Sequence, residues 1–312
     1  MVWWVLLSLL LAAVIAPWAY QAGKSLAAAA AAGELSAFSE WLGAAAGRAK
    51  FSRFFNRCLV FSALVLLPVL LWRMRRLRAE GRAAVAPLAK VGWKSALLQV
   101  AAGLVIAGGI LWGLGMVAEA LGAFEPRPVP QAKKLVGKIL IPSLIVPPLE
   151  EWLFRGMLLG LWLGIARPAA ACVGTSLCFA FLHFLEPPGG TVIADPTSPT
   201  AGFELLSLIL LHFVEPMFFV TDYAVLFSIG MILALARLRT GALWFPIGLH
   251  AGWIAAFKGF NLFFTAVDGH PLHPWGIGES LRSGLLPLLA LGLTAVAGHF
   301  ASRPFAVSRA SR

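Results

Sequence analysis

Apolar runs of roughly the same length recur along this chain, near 2–20, 54–72, 96–122, 135–165, 168–185, 204–237, 242–260 and 283–300. About 20 mostly apolar residues is what a helix needs to cross the hydrocarbon core of a bilayer, and in lipid only helices and closed barrels satisfy their own backbone. The runs predict an all-α fold: a polytopic integral membrane helical bundle with about eight transmembrane helices. Composition agrees, since 60% of the residues are hydrophobic and only 12% charged. A water-soluble single core, a disordered chain and a collagen-like chain are all excluded.

The excess of Lys and Arg over Asp and Glu gives a net charge of +11. The bases are not spread over a soluble face; Arg73, Arg75, Arg76, Arg78, Arg82, Lys90 and Lys94 cluster between two apolar runs. In a membrane protein that is a topology signal and an anchor for anionic lipid, so membrane lipid is an expected partner and nucleic acid is not. Placing this loop, Arg237 with Arg239, and the tail with Arg303 on one side puts both chain ends in the cytoplasm, provided that 204–237 crosses once. That stretch contains Glu215-Pro216 and is too long for one straight crossing, so it is either two short spans or a re-entrant half-helix followed by a full span, and the charges favour the single crossing. Val2 to Tyr20 is read as a retained anchor rather than a cleaved signal. Lys24 to Arg53 is read as an amphipathic helix lying on the bilayer. The segments 186–202 and 266–282 are loops by their turn residues. Cys58, Cys172 and Cys178 all sit in apolar runs without a C-x-x-C pair, which supports neither a disulfide framework nor a zinc knuckle.

Charges inside a spanning helix are costly, so each requires a partner or a task. This chain concentrates them in Pro147-Pro148-Leu149-Glu150-Glu151-Trp152-Leu153-Phe154-Arg155-Gly156, within an apolar stretch. The two prolines are expected to break the helix just before the acids, whose new first turn then favours negative charge. Glu151 and Arg155, four apart, lie about 40° from each other at roughly 100° per residue and suit an ion pair. Glu150 points about 140° away from Arg155 and is left over. A carboxylate uncompensated in an apolar helix is the kind of group that serves as a general base.

His183 and His250 fall in later spans, in Phe179-Ala180-Phe181-Leu182-His183 and Gly248-Leu249-His250-Ala251-Gly252-Trp253. Either alone reads as a hydrogen-bonded packing residue. Three spans that each offer one acid/base side chain favour convergence on one site. His212 with Glu215 forms a weaker second pair, about one turn apart. Gly252 is open to two readings, close approach of a substrate backbone or ordinary helix packing in lipid. The tract Arg237-Leu238-Arg239-Thr240-Gly241 leading into the His250 helix is a tight basic turn.

The ordered set Glu150-Glu151-x-x-x-Arg155, Phe179-x-x-x-His183, and Arg239-Thr240-Gly241 through His250 resembles the CPBP family of CAAX proteases and bacteriocin-processing enzymes, also called Abi, in a bacterial-type member. The likeness covers roughly 135–260 and divides the chain into N-terminal membrane helices with an interfacial segment (1–134), a CPBP-like catalytic core (135–260), and a loop plus C-terminal transmembrane helix (261–312). The resemblance implies a multi-pass protein of the bacterial cytoplasmic membrane. It implies an intramembrane endopeptidase in which Glu150 and His183 activate a water and His250 holds the oxyanion, with Glu151 and Arg155 in support. The substrate is expected to be a protein or peptide with a hydrophobic anchor.

Two histidines and a glutamate also match a thermolysin-like zinc set, but the zincin spacing of two His four apart on one helix is absent, so a metal-free site without other cofactors is favoured, with zinc as the weaker alternative. The family motif continues His-x-x-x-Asn, and here that Asn position is Ile254, which donates no hydrogen bond. Trp253, about 60° from His250, carries an indole N–H suited to replace it. A non-catalytic immunity or scaffold protein of the same fold is the alternative that Ile254 supports. A proton-coupled transporter is a third, weakened by the lack of two related halves. Substrate, cleavage site, a need for prenylation and oligomeric state are not encoded legibly.

Overall fold

The computed structural model describes residues 2–33, 36–81, 85–185 and 191–307. Ten helices are named in chain order: α1 (Val2–Ala31), α2 (Ala37–Gly47), α3 (Phe51–Ala79), α4 (Trp93–Ala120), α5 (132–163), α6 (Pro168–His183), α7 (Ala201–His212), α8 (Pro216–Thr240), α9 (Trp244–Phe263) and α10 (Leu285–Ala301). Among the described residues β1 (Phe124–Pro126) pairs antiparallel with β2 (Phe264–Ala266) in a short ribbon, with Glu125 opposite Thr265. The protein is a polytopic helical membrane protein. Among the described residues α1, α3, α4 and α8 are long and apolar enough to cross a bilayer, and α6, α7 and α10 are shorter apolar helices.

The chain forms two compact units, Met1–Arg82 with His183–Glu215, and Ala83–Leu182 with Pro216–Arg312. These units and the three segments marked off by sequence are different partitions, because α4 and α10 pack onto the segment that carries the motifs.

In the first unit α1 packs on α2, α3 and α7. Small residues permit the close approaches: Gly202 sits against the Ala13 backbone, and Gly43 against Ala30 and the Leu26 carbonyl. The expected interfacial helix over Lys24 to Arg53 is instead divided among the end of α1, the short α2 and the start of α3. Only α2 keeps an interfacial character, with Phe38 and Trp41 stacked and exposed and Gly43 and Ala46 buried. Lys24 Nζ donates to the Gly47 and Ala49 carbonyls at 2.8 and 3.2 Å, placing a cation at the negative end of α2. The stretch 204–237 is broken at 213–215. At 12 residues α7 is about 18 Å long, too short to cross, whereas α8 is long enough, as the half-helix reading requires. Of the expected 186–202 loop, 186–190 lies outside the described residues; 191–200 is irregular, with Asp195 accepting from Thr197 N and Oγ1.

The second unit is built on α4 and α9. Gly103, Gly108 and Gly115 of α4 meet Leu249, Gly252 and Phe260 of α9 in ascending order, so the two helices run parallel. A Cβ on Gly252 would lie 2.5 Å from the Leu104 carbonyl oxygen and 2.8 Å from Gly108 N. Gly252 is thus a packing residue, which settles the open reading in favour of helix contact. The core around this contact contains Leu111, Phe245, Leu249, Trp253 and Phe260, with Leu291 from α10. Backbone bonds tie together one end of the unit: Ala86 N to Gly160 O, Ala89 N to Gly241 O, and Val307 N to Arg239 O. The segments that reach this end carry Lys90, Lys94, Arg167, Arg237, Arg239 and Arg303, and 85–118, 152–182, 223–267 and 280–307 contain no Asp or Glu.

Candidate active site

The expected helix break at Pro147-Pro148 does not occur. The helix runs through both prolines from Ile141 to Glu151, with π turns on either side of that stretch, over Val136–Leu140 and Trp152–Leu158. In a buried setting neighbouring helices tolerate the lost backbone bonds. Glu150 and Glu151 therefore sit in mid-helix, and side chains rather than free backbone N–H groups meet their charge. A π turn widens the helix from i→i+4 to i→i+5 bonding and is frequent at functional sites.

Glu151 and Arg155 are both fully buried, and Arg155 Nη1 donates to Glu151 Oε1 at 2.9 Å, as the four-residue spacing predicts. The same oxygen is 2.9 Å from His250 Nδ1. A carboxylate paired with a guanidinium is an acceptor, so Nδ1 carries a proton and donates. The remaining imidazole nitrogen, Nε2, lies 3.8 Å from Glu150 Oε2. Of the two acids only Glu150 is accessible, with 26% of its side chain exposed against none for Glu151.

Further groups fix this cluster. The Arg155 guanidinium lies over the Phe179 ring at 4.3 Å from its centroid, and Arg155 Nη2 donates to the Gly230 carbonyl at 3.3 Å. Phe179 meets the His250 ring edge-on at 6.2 Å and Phe154 at 5.0 Å. Gly230 permits this approach, because a Cβ there would come 2.8 Å from Ser176 Cβ. Phe179 and Gly230 had no role in the sequence reading. The signal for Phe179 was its place in the Phe-x-x-x-His motif, and for Gly230 the need of a buried arginine for more acceptors than one glutamate offers.

Glu150, Glu151, Arg155 and His250 are thus brought together by α5 and α9. His183 closes α6, one helical turn past Phe179, and belongs to the first unit. Trp253 is buried within the apolar core. His212 Nδ1 and Glu215 Oε2 form the expected pair at 3.2 Å within the first unit.

An apolar cavity of about 510 Å³ adjoins these helices. Its walls include Leu104 from α4, Leu144 and Pro148 from α5, and Ile247, Ala251 and Ala255 from α9. Pro148 and Ala251 stand two residues before Glu150 and one after His250, so the cavity borders the segments that carry the charged cluster. Ser143 also lines it, with its hydroxyl buried and unbonded.

Residues 132–256 match the family model described as Rce1-like, type II CAAX prenyl endopeptidase Rce1-like. No curated protein and no solved structure matches the chain. The likeness to the CAAX protease family read from the three motifs therefore holds over residues 132–256, the stretch that carries Glu150, Glu151, Arg155, His183 and His250.

Proposed function

We propose that this protein is an intramembrane endopeptidase that hydrolyses a peptide bond of a hydrophobically anchored protein or peptide by a metal-free, glutamate-based mechanism. The observation that carries this reading is the Glu150–His250–Glu151–Arg155 array, in which one acid is buried and charge-paired while the other stays accessible beside the imidazole. Glu150 takes a proton from water, a step in which the family resemblance gives His183 a part, and the hydroxide oxygen bonds to the scissile carbonyl carbon. His250 acts through Nε2, because Nδ1–H is committed to Glu151. To donate to the oxyanion Nε2 must itself carry a proton, and Glu150 at 3.8 Å is its neighbouring acid. Collapse of the tetrahedral species breaks the C–N bond, and the proton first taken from water goes to the leaving amine.

Glu151 is a positioning residue. It holds the His250 ring in one tautomer and orientation, and Arg155 and Phe179 hold Glu151 in turn. The apolar cavity beside Pro148 and Ala251 supports a substrate with a hydrophobic side chain or anchor. The metal-free form rests on the sequence, where the zincin spacing of two His four apart on one helix is absent. Ile254 favours a second reading, a peptide-binding protein of the same fold without catalysis.

The test compares protein termini in membranes of cells making wild type and Glu150→Gln at matched levels. New termini that vanish in the variant establish a protease and name its substrate. Identical termini, with a biological activity that survives the substitution, establish the binding protein.

A further inference from the structure

Arg155 and Arg237 are the two arginines buried in the second unit, 0% and 4% exposed. Arg155 has Glu151 at 2.9 Å. Among the described residues Arg237 has no such partner: the segments around it, 85–118, 152–182, 223–267 and 280–307, contain neither Asp nor Glu. Its hydrogen bond among the described residues runs from Nη2 to the Pro87 carbonyl at 2.9 Å, and its Nε is buried and unbonded. A guanidinium has five N–H donors, so most of this one's capacity is unused. Taking a cation out of water without a counter-charge is costly, and native structures seldom leave one so.

Arg237 lines a cavity of about 660 Å³ at the basic end of the unit, together with Pro87, Leu163, Pro168, Gly241 and Val307. The walls are held by the backbone bonds Ala86 N to Gly160 O, Ala89 N to Gly241 O and Val307 N to Arg239 O, all between 2.8 and 3.0 Å. Lys90, Arg167 and Arg239 lie one to three residues from lining positions, so the local field is positive throughout. A basic residue in the last turn of α8 suits the negative end of the helix. That role does not require a guanidinium lining a cavity, and Arg239 in the same turn serves it too.

We propose that this cavity binds a phosphate-bearing anion, with Arg237 giving its Nε–H and remaining Nη–H groups to the phosphate oxygens in the forked geometry that suits arginine. Leu88, Leu163, Leu238 and Val307 make the rest of the wall apolar, which accommodates the glycerol and upper chain carbons of a phospholipid. A soluble phosphate ester presents the same phosphate chemistry without the chains.

Native mass spectrometry of the full-length protein, released from micelles doped with phosphatidylglycerol or phosphatidylcholine, reads the site directly. Unfolding temperature with each lipid, and with millimolar glycerol phosphate, reads it independently. The expected result is one retained phosphatidylglycerol per wild-type chain, little retained phosphatidylcholine, and a rise in unfolding temperature of several degrees with the anionic lipid alone. Arg237→Gln loses both the adduct and the rise. Ala86→Trp, which fills the cavity and keeps the guanidinium, loses them too, and serves if Arg237→Gln does not fold. A rise with glycerol phosphate that depends on Arg237 also supports the site and assigns it to a soluble ester. Equal retention of phosphatidylglycerol by wild type and both variants overturns the proposal, as does the absence of any Arg237-dependent effect with either probe.

Discussion

His250 Nδ1 and Arg155 Nη1 meet one and the same oxygen of Glu151, each at 2.9 Å. Two donors on one buried oxygen make Glu151 the hinge of the array, while its other oxygen is buried without a partner. The arrangement separates scaffold from chemistry: Arg155 and Glu151 are closed off, and of the two acids Glu150 alone keeps exposed surface, 26% of its side chain.

Removing Arg155 strands the Glu151 carboxylate in an apolar interior. Arg155→Ala should destabilise the protein by about 3–5 kcal/mol, because the loss of one member leaves a buried charge uncompensated. Thermal unfolding in detergent checks this against Glu150→Gln, which should unfold near the wild-type temperature and yet cleave nothing.

Glu151→Gln keeps the shape of the side chain but leaves a neutral amide to hold the imidazole. Turnover should fall by about 100- to 10,000-fold, the range for general acid–base machinery. KM should change little, because Glu151 has no exposed surface to offer a substrate. A role in folding alone would lower the yield of protein and leave turnover per folded molecule intact.

The charged motif was legible because helical spacing alone joins Glu151 to Arg155, and because intramembrane charges stand out against apolar sequence. The bond from Glu151 to His250 was not legible, since 99 residues separate the two and only the parallel packing of α4 and α9 sets the height of His250. The Pro147-Pro148 break was misread because proline costs were weighed for an isolated helix, whereas neighbouring helices and a later π turn absorb them here. The Lys24 to Arg53 segment was read as one helix because its Ala-rich composition gives no strong stop signal. The two turns that divide it follow from packing on α1.

The glycine contact between α4 and α9 sets the position of His250 and gives a third prediction. Gly252→Leu would drive a side chain into the Leu104 and Gly108 backbone. Backbone cannot yield as a flexible side chain does, so stability should fall by about 1–3 kcal/mol as in other overpacked cores. Activity should be lost with it, and a Gly252→Leu protein of wild-type stability would show that the two helices can separate without harm.

The cavity beside the charged cluster predicts a split between binding and turnover. Ala255→Trp narrows the space bounded by Leu104 and Ile139, away from Glu150 and His250 in sequence. With a reporter peptide that carries a bulky apolar group, KM should rise about 10-fold or more while kcat changes less, as expected for loss of uniform binding. A reporter with a small residue at that position should be cleaved nearly as well as by the wild type.

Ile254 stands where the family motif has Asn, so a second oxyanion donor must come from elsewhere if the protein is a protease. Trp253 is the neighbouring candidate. Its ring is held in the core with Leu249 and Phe260. A ring so fixed donates without losing freedom at the moment of reaction. Trp253→Phe keeps most of the packing volume and removes only the N–H, so the unfolding temperature should move little while kcat drops by about 100- to 1,000-fold, the range for one oxyanion donor. Ile254→Asn on that background should restore part of the rate if the two positions serve the same oxygen. An unchanged rate in Trp253→Phe would leave His250 as the donor and make Trp253 a core residue alone.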